Sequence, residues 1–161
     1  MEKRTKLLLV TNLTMKLIKI MPSFLFITII TFAVSTQAAD KRLNLPVKAA
    51  LENPETQEAL LDIPIYMKGQ DHPPATNISR EFKSNKRTNG FNKSDEKACD
   101  IAFVSAIIAF QKRAQKEGAN AVIDVYSITK DIVYEDAEHY SCLAGNIVVN
   151  VALKGKVATI K

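Results

Sequence analysis

The most reactive side chains in this 161-residue chain are its two cysteines, Cys99 and Cys142, and two kinds of chemistry are open to them. Oxidised, they cross-link the chain. Free, Cys142 stands three residues after His139, and a His-x-x-Cys pair can ligate zinc. Just ahead of it, Asp131, Glu135, Asp136, Glu138 and His139 crowd into nine residues. Such a donor set suits a metal ion, its carboxylates the harder cations. Against a metal, no second Cys/His pair accompanies the group, a disulfide would withdraw the sulfur, and an acidic loop is ordinarily just solvated. A second cluster, the polar loop expected from Lys83 to Lys93, carries Lys83, Lys86, Arg87 and Lys93 around Phe91. It could grip a polyanion such as lipopolysaccharide or nucleic acid. Its plainer reading is a solvated loop with Phe91 tucked into the core.

Neither cluster makes an enzyme. The only histidines are His72 and His139, no Gly-x-Ser-x-Gly elbow is present, and neither histidine is spaced to activate a Ser or Cys nucleophile. The expectation is a non-enzymatic protein without a cofactor.

The element best placed to position these residues is a helix from Asp95 to Glu117. Ser94 is a good N-cap, Asp95 and Glu96 complement the dipole, Lys112, Arg113 and Lys116 lie at the other end, and Gly118 supplies the left-handed C-cap. Cys99, Ala102, Phe103, Ala106, Ile107, Phe110 and Ala114 recur at three- and four-residue spacing, an apolar stripe that must cover a sheet. Asn120–Thr129 reads as a strand and Lys130–His139 as a polar connection. Tyr140–Leu153 reads as a second strand, with Gly145 marking a bulge or a close approach. Leu43–Val47, Ile63–Met67 and Ile78–Phe82 are weaker strand candidates, and Asn53-Pro54-Glu55 opens a short helix. The expected fold class is α+β: a small antiparallel sheet of about four strands, one long helix packed on one face, and one disulfide. Residues 39–161 form the single domain, best defined over 94–155.

Residues 1–38 read as a secretory signal. Lys16 and Lys19 precede the apolar run Phe24–Val34, and Ser35 to Ala39 supply small residues for cleavage. The run is shorter than the ~20 residues of a membrane-crossing helix, so no stable span is expected after cleavage. Met15 begins a segment that is a complete signal by itself and is a candidate start. The formal charge of +5 resides mostly here. Residues 1–38 hold five basic and one acidic residue, and from Ala39 onward 17 basic face 16 acidic. Bulk charge therefore gives nucleic-acid binding no support.

Export makes a disulfide the favoured state of an even pair of cysteines. A 23-residue helix is ~34 Å long, and a following ten-residue strand runs back ~33 Å. That return brings the start of the last strand, with Cys142, beside the first helical turns, with Cys99.

Thr88–Cys99, Ala102-Phe103, Gln111, Ala114, Gly118-Ala-Asn-Ala-Val122, Tyr140-Ser-Cys-Leu-Ala-Gly145 and Val151–Gly155 resemble an uncharacterised family of small exported bacterial proteins. Many of its members are labelled "excinuclease ATPase subunit". The likeness covers about residues 60–161, and more distantly it is similar to YbjQ-type domains and to the Rcs stress-sensing lipoprotein. It implies a periplasmic or secreted protein of a Gram-negative bacterium. The label's chemistry does not carry over: Gly155-Lys156 is followed by Val157, not by the Ser/Thr of a phosphate loop, and the chain has no zinc-finger cysteines, so no ATP is expected. Nor does it share the lipoprotein's four cysteines or its lipid-anchoring cysteine. The resulting expectation is an exported binding or envelope-associated module whose partner is an unknown protein or envelope component. The alternative is a metal- or polyanion-binding periplasmic protein.

Overall fold

The structure is a computed structural model that describes residues 40–161; the signal expected over 1–38 lies outside them. Eight strands form a curled, mostly antiparallel half-barrel: β1 (Lys41–Pro46), β2 (Ile65–Met67), β3 (Ala75–Thr76), β4 (Phe82–Asn89), β5 (Ala121–Thr129), β6 (Ile132–Tyr134), β7 (His139–Ala144) and β8 (Val148–Ile160). Among the described residues there are three helices, α1 (Val47–Leu51), α2 (Pro54–Gln57) and α3 (Asp95–Glu117).

This overturns the α+β expectation of a four-stranded sheet: the domain is mostly β, with twice as many strands. The 23-residue α3 has the anticipated bounds. Ser94 Oγ accepts from Lys97 N–H at 3.2 Å, and Gly118 closes the helix at φ +69°. What the sequence hid was strand. The polar loop expected over Lys83–Lys93 is strand through Asn89: it belongs to β4, paired residue for residue with β8 from Phe82↔Gly155 to Asn89↔Val148. Its polarity follows from its place at a sheet edge, half in solvent. Tyr140–Leu153 is two strands rather than one, because Gly145–Val148 is a tight hairpin in which Gly145 N–H donates to Val148 C=O at 3.0 Å. A Cβ at Gly145 would sit 3.0 Å from that same carbonyl oxygen. Gly145 is thus a close approach, one of its two expected roles, and a bulge lies in β5, where Asp124 takes φ +53° and the register with β8 shifts between Ile123 and Tyr126. Inside the presumed connection, Lys130 and Asp131, both at positive φ, turn β5 into β6.

The sheet order is β1-β7-β8-β5-β2, with β4 and β3 along the other edge of β8 and β6 on β5. Helix α3 lies across β8 and β4. Its Cys99, Phe103, Ile107 and Phe110 form one core with Val149, Val151, Leu153 and Val125. The expected disulfide is present: Cys99 and Cys142 are bonded, with Cα atoms 6.0 Å apart, and both are fully buried. Beside it, the Tyr140 ring stacks on Phe103 at 4.1 Å, and its hydroxyl donates to Asp100 Oδ1 at 2.7 Å. These contacts clamp β7 to the first half of α3.

Candidate functional site

The half-barrel does not close. Between its two ends, β1–α1 on one side and β2 on the other, lies a groove of about 580 Å³. Its floor and walls are Pro46, Val47, Leu51, Ile65 and Ala137, and Lys48, Glu52, Gln70, Glu138 and His139 form the rim. Each wall has a local cause. Pro46 ends β1 opposite His139, and Val47 N–H donates to Glu138 C=O at 2.8 Å, which fixes α1 against the start of β7. On the other side β2 runs parallel to β5, with Ile65 level with Val122. The turn after β2 depends on Gly69 at φ +94°, a conformation only glycine adopts readily. Gln70 then stitches the walls together. Its Oε1 accepts from Met67 N–H at 2.7 Å and its Nε2 donates to Ala137 C=O at 2.6 Å. Lys68 adds an ion pair to Glu135.

Asp136 organises the segment between β6 and β7. Its Oδ1 accepts the backbone N–H groups of Glu138 and His139, both at 2.8 Å, and His139 Nδ1 lies 3.2 Å from the same oxygen. Those backbone donors, more than the imidazole, hold its carboxyl below the usual range.

The candidate metal set is not assembled. Asp136 and His139 meet, but Glu135 is committed to Lys68 and Asp131 sits in the β5–β6 turn. Cys142 is held in the disulfide. Among the described residues no three His, Cys, Asp or Glu side chains converge on a point. The physical reason is the β6 strand, which places Asp131 and Glu135 at opposite ends of a three-residue segment.

The candidate polyanion residues are also divided. Lys83 and Arg87 are on the exposed face of β4, Lys86 is half-buried on the face toward α3, and Lys93 folds back to donate to Asn89 C=O at 3.1 Å. Phe91 does not tuck into the core; it is 64% exposed. Ile147 and Val148 at the β7–β8 hairpin and Ile132 and Val133 on β6 are exposed too. Gly90 N–H donates to Ile147 C=O, Asp40 approaches Gly145, and Lys130 pairs with Asp40 at 2.6 Å, which gathers the turns at Gly90, Gly145 and Lys130 at one end.

Sequence reasoning missed Gln111. It lies on the apolar face of α3 and is 1% exposed. From there it holds the segment between α2 and β2, and so positions Ile65 in the groove wall. The signal was available: a glutamine in register with Ile107 and Ala114 on an otherwise apolar stripe needs polar partners inside the fold. Gln70 gave no comparable signal, because its role depends on the approach of two distant loops.

Among the described residues no helix is long and apolar enough to cross a membrane. No family model matches this chain, and no curated protein or solved structure does either.

Proposed function

We propose that the protein is an exported, non-enzymatic binding module of the bacterial envelope, periplasmic or secreted, and that the groove between β1–α1 and β2 receives an apolar group of its ligand. The observation that carries this reading is the composition of the groove: an apolar floor and a polar rim, with no Ser, Thr or Cys in its lining. Of its ionisable groups, Lys48 lies 3.9 Å from Glu52 and His139 lies 3.2 Å from Asp136. The buried disulfide supports an oxidising compartment, and the basic–apolar–small order of residues 16–39 supports export. The resemblance to small exported bacterial proteins points the same way, as do exposed Phe91 and Ile147, apolar residues suited to association with the envelope.

N-acetylphenylalaninamide is a suitable probe. At ~0.3 kcal/mol per heavy atom, its roughly 15 heavy atoms give a Kd on the order of 1 mM, within reach of saturation-transfer NMR. Ala137→Phe fills the groove. Saturable binding by the native protein, lost in this variant at unchanged melting temperature, supports the reading. Equal binding by both, or none by the native protein, overturns it.

A further inference from the structure

One edge of the half-barrel is open in a second place. In β4 the even-numbered residues face β8: Gly90 N–H donates to Ile147 C=O, and the same register runs back to Phe82↔Gly155. By the alternation of an antiparallel ladder, the N–H and C=O groups of Lys83, Asn85 and Arg87 then point away from the sheet. Among the described residues no strand pairs with that edge. Alongside it run two adjoining clefts of about 370 and 210 Å³ between β4 and α3, which share Lys86 and Ala109. Ser105, Ile108 and Lys112 line the second, and the small side chain of Ala109 leaves the space open. Within the first, Ser84 Oγ is buried without a hydrogen-bond partner.

The charge of this strip has one sign. Lys83, Lys86, Arg87 and Lys112 make no ion pair among the described residues, whereas neighbouring Arg113 is spent on Glu117 and on the face of Phe82. Lysines on a free edge repel indiscriminate strand addition, since a neutral or basic strand would bring no counter-charge to them. An acidic strand meets no such barrier.

We propose that β4 accepts an extended acidic peptide segment as an additional strand. Main-chain hydrogen bonds form to Lys83, Asn85 and Arg87, and alternate side chains enter the cleft against Ile108 and Ala109, where carboxylates pair with Lys86 and Lys112. Backbone pairing supplies affinity and the clefts supply side-chain selection. The proposal is consistent with a binding module but stands on a different surface, so its failure leaves the groove assay unaffected.

The test uses the mature exported protein and a fluorescein-labelled peptide of alternating Glu and Val, read by anisotropy at low salt. Asn85→Pro removes an outward N–H that no strand in the sheet uses, and an edge strand tolerates it. Binding should weaken at least tenfold, with the far-ultraviolet spectrum unchanged. Lys86→Glu with Lys112→Glu should do the same, and a Lys-Val peptide should not bind. Should Asn85→Pro perturb the fold, the native protein still decides the matter: N-methylating the peptide on one alternate set of residues abolishes binding, and on the other set leaves it intact. Binding indifferent to both methylation patterns, or to the charge reversals, overturns the proposal. So does a wild-type dimer lost in Asn85→Pro with no peptide binding, which would give the edge to a second copy of the chain.

Discussion

Gln111 and Leu61, fifty residues apart in sequence, are joined twice: the Gln111 Oε1 accepts the Leu61 N–H at 3.0 Å, and its Nε2 donates to the Leu61 C=O at 2.9 Å. The same Nε2 reaches the Ile63 C=O at 2.9 Å. One buried amide thus satisfies the backbone of the segment leading into β2. Gln111→Leu should cost about 2–4 kcal/mol, because it strands these groups beside an apolar side chain. Gln111→Glu keeps the shape but sets a carboxylate against two carbonyls, and should cost at least as much. Urea midpoints measure both; if the leucine variant matches the native protein, Gln111 has no such role.

Reduction of the Cys99–Cys142 bond should lower the melting temperature substantially. The bond closes a loop of 43 residues, worth roughly 3–5 kcal/mol in the chain-entropy model. Because both sulfurs are fully buried, a mild reductant should act only as fast as the domain opens. Thiol titration against time, with and without urea, checks the rate. Free thiols in the native protein would contradict the structure.

Alkaline pH should destabilise the domain through Tyr140. Burial foremost, and then its hydrogen bond to Asp100, pushes the phenol well above its ordinary value. A raised folded-state pKa means the stabilisation is complete below the unfolded value of about 10 and is lost as pH climbs above it. Tyr140→Phe should cost about 1 kcal/mol at neutral pH, for the lost hydrogen bond, and should flatten the alkaline decline. Melts from pH 8 to 11 decide this; an unchanged alkaline slope in the variant would refute it.

Acid should loosen the groove wall. Asp136 is held below the ordinary carboxyl range by the N–H groups of Glu138 and His139. Its contribution is therefore present above the unfolded value and disappears as pH falls through the depressed one. Hydrogen exchange at Glu138 and His139 should stay slow through ordinary carboxylate titration and quicken only below it. Asp136→Ala should show fast exchange at every pH, and slow exchange in that variant would remove Asp136 from the account.

Much of this fold could be read from patterns that repeat within a segment. Helix α3, its caps and its buried stripe followed from spacing alone, and β5 followed from its β-branched run. The even cysteine count, with the signal-like order of residues 16–39, pointed to Cys99 and Cys142 as partners. Illegible were features whose cause lies elsewhere in the chain. Strand β4 is polar because it is an edge, and nothing inside Lys83–Asn89 says which edge it will join. The β7–β8 hairpin was concealed by apolar residues that run through its turn, Ile147 and Val148 among them. The acidic cluster looked like one site because it is compact in sequence, but β6 spreads it along a strand. The groove lies between β1–α1 and β2, but Ala137 completes it, reached by Gln70 across 67 positions of sequence, and no local pattern encodes it.

The measurement that bears most directly on the central claim is an amide-resolved NMR titration of the native protein with N-acetylphenylalaninamide. If the seam of the half-barrel is the binding site, saturable shifts will concentrate at Val47, Leu51, Ile65, Ala137 and His139 and will vanish in Ala137→Phe. Shifts scattered over the surface, or centred on Phe91 and Ile147, would contradict it.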